Sequence, residues 1–90
     1  MTVYEAIDQM RLISRRGGEF SMTFMSYSES SGKSGGPVSV ERARLRARAN
    51  TDQVKNAELM EAYTNLNTGE ARHFYQPLLM LFNGQKVELP

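Results

Sequence analysis

Ser39-Val-Glu-Arg-Ala-Arg-Leu-Arg-Ala-Arg-Ala49 admits two readings, and the choice between them decides the fold. Ala, Leu, Arg and Glu all favour helix, so propensity alone points to a basic helix. The spacing says otherwise. Arg42, Arg44, Arg46 and Arg48 alternate with Ala43, Leu45, Ala47 and Ala49, and a period of two over eight residues belongs to a strand. Period outranks propensity here, because a strand with one cationic and one apolar face has a clear place at a sheet surface. Val38 and Val40 share parity with the arginines, not with the alanines. A β-bulge near Glu41-Arg42 would switch the faces and bring both apolar sets to one side.

The stretches on either side extend the sheet. Glu19-Phe-Ser-Met-Thr-Phe-Met-Ser-Tyr-Ser28 alternates, with Phe20, Met22 and Phe24 on one face and Ser21, Thr23, Met25 and Tyr27 on the other. The Ser, Gly and Pro content of 28–37 predicts a loop. Residues 51–66 could form a helix capped at Thr51-Asp52. Asn67-Thr68-Gly69 nevertheless reads as a three-residue hairpin loop with Gly in the left-handed position, which favours strands on both sides. That closure pairs Ala62 with Phe74 and Met60 with Gln76. It sets Tyr63, opposite His73, and Tyr75 on the polar face. Asn83-Gly84 predicts a two-residue hairpin pairing Phe82 with Gln85, Met80 with Val87 and Leu78 with Leu89, and Pro77 opens that strand.

The chain begins differently. Thr2-Val-Tyr-Glu5 is a capping box, and Val3, Ala6, Ile7, Met10 and Ile13 recur at helical spacing. Arg15 and Arg16 suit the negative end of a helix, and Gly17-Gly18 stops it, so a helix is expected over 3–15. The expected fold is α+β. One N-terminal helix packs on an antiparallel sheet of about five strands, roughly 19–28, 37–49, 58–66, 70–76 and 78–82 with its partner 85–89. So hairpin-rich an order also leaves room for a barrel-like closure. Val3, Ile7, Met10, Ile13, Phe20, Met22, Phe24, Leu45, Phe74, Met80, Phe82 and Val87 form the expected core.

Ninety residues suit a single domain, 1–90, with 40% hydrophobic and 23% charged residues, the composition of a globular chain. The absence of cysteine excludes disulfides and thiolate metal sites. No apolar run approaches the ~18 residues of a membrane span, and Met1–Met10 is not expected to be a signal peptide. The expected setting is a reducing cytoplasm or a particle assembled there. Residues 1–50 carry eight Lys/Arg against five Asp/Glu, whereas 51–90 carry three against five, so positive charge gathers in the first half.

Chemistry-bearing motifs are scarce. Ser31-Gly-Lys-Ser34 suggests a phosphate loop, but Tyr27 stands where the first glycine is required and strands flank both sides. His73 is the single histidine and has no nucleophile turn or second ligand to work with; Glu58 and Glu61 are the most plausible general acids. Catalytic residues, cofactor, metal and small-molecule substrate are therefore all expected to be none. The remaining candidate contact residues are Arg42, Arg44, Arg46 and Arg48, with Tyr63, His73 and Tyr75. Alternate strand residues lie about 6.7 Å apart, close to phosphate spacing, and tyrosines offer stacking surfaces. The alternative is a solvated face whose arginines pair across strands.

Three stretches together carry a resemblance: Phe20-Ser-Met-Thr-Phe-Met-Ser-Tyr27, Ala43-Arg-Leu-Arg46 and Phe74-Tyr-Gln-Pro-Leu-Leu-Met-Leu-Phe-Asn-Gly-Gln-Lys-Val87. Over nearly its whole length the chain resembles short uncharacterised proteins encoded in phages and prophages of gut bacteria. The resemblance implies a phage context and brings no catalytic residue. It favours a non-enzymatic structural or assembly protein acting through protein–protein contacts, with other subunits or its own copies as partners. An accessory nucleic-acid binder using the arginine row is the alternative.

Overall fold

The computed structural model describes residues 1–28, 33–46 and 59–89. Helix α1 (Val3–Arg15) is followed by β1 (Phe20–Ser28), β2 (Lys33–Leu45), β3 (Met60–Asn65), β4 (Ala71–Tyr75), a 3₁₀ turn (Gln76–Leu78), β5 (Leu79–Phe82) and β6 (Gln85–Lys86). The strands form one antiparallel sheet in the order β4-β3-β2-β1-β5-β6. The α+β expectation holds, with six strands instead of five and an open sheet instead of a barrel.

α1 has the expected bounds because both its ends are satisfied locally. The Thr2 hydroxyl accepts from the Glu5 N–H at 3.2 Å while the Glu5 carboxylate accepts from the Thr2 N–H at 2.9 Å. At the other end Gly18 N–H reaches the Ile13 carbonyl and Gly17 N–H reaches Ser14, a Schellman closure. Gly17 has φ +78°, the left-handed conformation that this closure requires.

Val3, Ala6, Ile7 and Met10 press one face of α1 onto Phe20, Met22 and Phe24 of β1, Val40 and Ala43 of β2, Tyr63, Phe74, Leu79, Phe82 and Val87. Two bulges decide which side chains join them. In β2, Phe20 pairs with Ala43 but Met22 pairs with Val40, so Glu41 and Arg42 together oppose Ser21. This is the expected face switch at Glu41-Arg42, and it buries both Val40 and Ala43. In β5, Thr23 pairs with Leu81 and Phe24 with Leu79, leaving Met80 as the extra residue. Leu79 and Phe82 therefore both point inward, and Met80, expected in the core, is 41% exposed. Ile13 and Leu45, also expected there, lie partly buried at its rim.

The hairpins divide. Asn83 (φ +48°) and Gly84 (φ +80°) make the expected two-residue turn, with Phe82 opposite Gln85 and Val87 N–H bonded to the Met80 carbonyl. Pro77 lies in the 3₁₀ turn and does not begin the strand, so Leu78 pairs with nothing in β6. The β3–β4 hairpin is closed by a longer loop than expected. Asn65 N–H bonds to the Glu70 carbonyl and Gly69 N–H to the Asn65 carbonyl, which makes Leu66 part of the loop. The register moves by one residue: Ala62 faces His73, Tyr63 faces Arg72 and Glu61 faces Phe74. A one-residue slip exchanges the two faces of a strand. Glu61 and Tyr63 are thereby turned inward. β2 begins at Lys33, inside the expected loop. Ala47 to Glu58, with Arg48 and the expected starts of later elements, lie outside the described residues.

Candidate interaction surface

The arginine row is broken up by the fold. Arg42 donates from Nε and a terminal nitrogen to the two carboxylate oxygens of Glu19, both at 3.0 Å, and reaches Asn67 Oδ1 at 3.5 Å. This contact holds the Glu19 carboxyl below its ordinary pKa and raises that of Arg42. Arg44 is turned onto the end of α1. Its Nε donates to the Gly18 carbonyl at 2.9 Å and a terminal nitrogen to the Gly17 carbonyl at 2.7 Å. There a cation meets the negative end of the helix. The next residue, Leu45, donates its N–H to Ser14 Oγ at 2.9 Å, so two adjacent residues of β2 fasten the helix terminus. Arg46 is exposed.

Two of the four guanidinium groups are therefore spent inside the protein, and their replacement should show it. Arg44→Gln is expected to destabilise by about 1–2 kcal/mol, as loss of charge-assisted hydrogen bonds does at a half-buried site. Arg46→Gln should change stability by about 0.5 kcal/mol or less. Urea midpoints of the two variants test this, and equal midpoints would contradict the capping role of Arg44.

Glu5, Glu19 and Glu70 all have lowered pKa values. The causes are the Thr2 backbone N–H, Arg42 and Arg72 respectively. A carboxyl depressed in the folded state contributes stability that is present above its unfolded pKa of about 4.3 and lost as pH falls through the folded value. In an NMR titration, Arg42→Gln should return Glu19 to the ordinary carboxylate range and leave Glu5 unmoved. Movement of both would mean that a general charge effect, not the pair, depresses Glu19.

Of the aromatic candidates, Tyr63 is buried between Phe24 and Phe74, and burial raises its pKa. It offers no stacking surface. His73 is exposed and Tyr75 half-buried, both on β4. The cluster that the sequence concealed lies beneath them. Glu61, 1% exposed, accepts at Oε1 from Arg11 of α1 at 2.5 Å and from Gln76 Nε2 at 2.8 Å. One carboxylate thus ties helix, sheet and 3₁₀ turn together, and this is where the candidate acid Glu61 is committed. Its signal lay in Arg11, four residues beyond Ile7 on the apolar stripe of α1, where a cation can reach the sheet below.

The two edges of the sheet are treated differently. On the β6 side, the start of the chain bonds to Glu88, just past β6, and the N-terminal amine reaches the Lys86 carbonyl at 3.3 Å. Val3 N–H bonds to the Glu88 carbonyl and Glu88 N–H to the Met1 carbonyl, both at 2.9 Å, with a parallel bridge between Thr2 and Glu88. On the other side β4 pairs only with β3 among the described residues, and Ala71, Arg72 and His73 are exposed. Arg72 pairs with Glu70 on the same strand face.

Among the described residues, no group of three or more His, Asp or Glu could hold a metal, and no helix is long and apolar enough to cross a membrane. No family model, curated protein or solved structure matches the chain.

Proposed function

We propose that this protein is a non-enzymatic structural or assembly component, of the phage or prophage kind its sequence resembles, that works through protein–protein contacts at the Ala71–His73 edge of β4, where the strand pairs only with β3 among the described residues. The observation that carries this reading is the unequal treatment of the two edges. An open strand edge presents unpaired N–H and C=O groups to any extended chain, and proteins commonly blunt it with proline, lysine, a bulge or a covering segment. On the β6 side, Met1–Val3 bonds to Lys86 and Glu88 and blunts the end of that edge. β4 has no proline and no bulge in its pairing with β3, and its one arginine is neutralised by Glu70. Such an edge suits strand addition, in which backbone hydrogen bonds supply affinity and alternate side chains supply specificity.

Further support comes from what the charged groups do. Glu61 is committed to Arg11 and Gln76, and Arg42 and Arg44 to Glu19 and the helix end. Nucleic-acid binding through Arg42 and Arg44 would compete with these contacts to Glu19, Gly17 and Gly18.

The test uses the particle. Purified virions analysed by mass spectrometry are expected to contain the chain. Ala71→Pro should sharply reduce its incorporation, since proline at the first residue of an edge strand removes an outward N–H without unfolding the sheet. Absence of the chain from virions, or unchanged incorporation of the variant, would overturn the reading.

A further inference from the structure

Asn83 alone among the asparagines precedes a glycine, and both residues of that turn are exposed. We infer that Asn83 is a site of spontaneous deamidation, restrained in the folded chain by the hold of Ser21 on its side chain; the inference is independent of the contact surface proposed above. The nucleophile is the Gly84 backbone nitrogen. On losing its proton it attacks Cγ of Asn83, the new C–N bond closes a succinimide ring, and the Asn83 side-chain nitrogen leaves with that proton as ammonia. Water then opens the ring at one carbonyl or the other, giving aspartate or isoaspartate, with no change of oxidation state. Glycine at 84 makes the attack accessible, because no Cβ stands beside the nitrogen. Water has access as well, since a Cβ placed on Gly84 would meet no atom within 4 Å.

The fold sets the rate. Asn83 Oδ1 accepts from the Ser21 N–H at 2.9 Å, with Ser21 Oγ at 3.5 Å, and the Asn83 N–H donates to the Ser21 carbonyl at 2.9 Å. One residue of β1 thus holds both the side chain and the backbone of Asn83. β5 lies between β1 and β6, so the clamp draws the side chain toward β1 while the main chain turns through Gly84 toward β6. For Cγ to close on the Gly84 nitrogen, Oδ1 must leave Ser21, and the reaction runs through a locally opened hairpin. The two products differ in what they do to the turn. Aspartate keeps an oxygen for the Ser21 N–H. Isoaspartate routes the main chain through the former side chain, and the added backbone carbon does not fit a two-residue turn held at φ +48° and +80°. The pairing of Phe82 with Gln85 would then be lost.

The test holds wild-type chain in warm, mildly alkaline buffer, either folded or unfolded in guanidinium chloride, and follows the peptide carrying residue 83 by mass spectrometry. Unfolded chain is expected to deamidate at Asn83, and folded chain at least about tenfold more slowly, since only its opened fraction reacts. Gly84→Ala, measured in guanidinium chloride so that its folding is not at issue, should slow the unfolded reaction severalfold. The hold of Ser21 has its own readout. As sub-denaturing guanidinium chloride is raised, hydrogen exchange at the Ser21 N–H and deamidation at Asn83 should accelerate in parallel, because both need the same bond broken. No reaction at Asn83 in unfolded chain, or no slowing by Gly84→Ala, overturns the site. Equal rates in folded and unfolded chain, or deamidation that does not follow Ser21 exchange, overturns the restraint.

Discussion

Phe24→Ala is expected to lower the unfolding free energy by about 4 kcal/mol, within the range of roughly 3–5 kcal/mol for buried phenylalanines. Phe24 sits on β1, between Val38 of β2 and Leu79 of β5. Its ring stacks on Phe74 at 5.4 Å and meets Tyr63 edge-on at 6.0 Å. Removing it opens a cavity bounded by strands whose backbones are paired on both sides, so the walls cannot close in, and the cavity term persists. Met80→Ala is the control. Its side chain is 41% exposed, and its loss should cost less than about 1 kcal/mol. Urea denaturation compares the two. Similar losses at Phe24 and Met80 would mean that the β5 bulge is misplaced.

Arg11→Ala is expected to cost about 3 kcal/mol, because it leaves the buried Glu61 carboxylate with Gln76 alone. Breaking one side of a buried ion pair typically costs 3–5 kcal/mol, and the lower end applies because Arg11 is 41% exposed and water can enter its place. Glu61→Leu should cost less, since the abandoned guanidinium can turn to solvent. The double variant Arg11→Met/Glu61→Leu should recover most of the loss, as apolar replacement of a buried pair often does. A double-mutant cycle measures the coupling. A coupling near zero would show that Arg11 and Glu61 do not act as a pair.

Both predictions rest on features of unequal visibility in the sequence. Phe24 is evident from the alternation of Phe20, Met22 and Phe24, which all face the core. The bulge at Glu41-Arg42 is evident too, because Val40 and Ala43 can share a face only if one residue is skipped. The bulge at Met80 is not. Leu78 to Phe82 is apolar throughout, and a run without polar residues carries no parity from which to infer a skip. Glu61 was hidden for a related reason. Loops of three and of four residues both put Gly69 in the left-handed position, so turn chemistry could not choose between the registers. The candidate contact surface suffered most. Four alternating arginines look alike as sequence, yet Arg42 meets Glu19 and Arg44 meets the end of α1.

What the sequence by itself determined is what short-range physics controls: the capping box and glycine stop of α1, the Asn83-Gly84 turn, the two-residue period of β1, and with them the α+β class. Each depends on neighbours within a few positions, where backbone sterics and local hydrogen bonds decide. Only the tertiary structure decided the β3–β4 register, the inward turn of Tyr63 and Glu61, and the pairing of the arginines. Those outcomes were set by partners far along the chain. Leu66 N–H finds the Arg42 carbonyl, Arg11 finds Glu61 fifty residues away, and Arg44 finds the Gly17 and Gly18 carbonyls just past α1. Two registers of equal local merit differ once such groups must be satisfied together, because a buried charge or carbonyl left without its partner costs more than any local preference can offset.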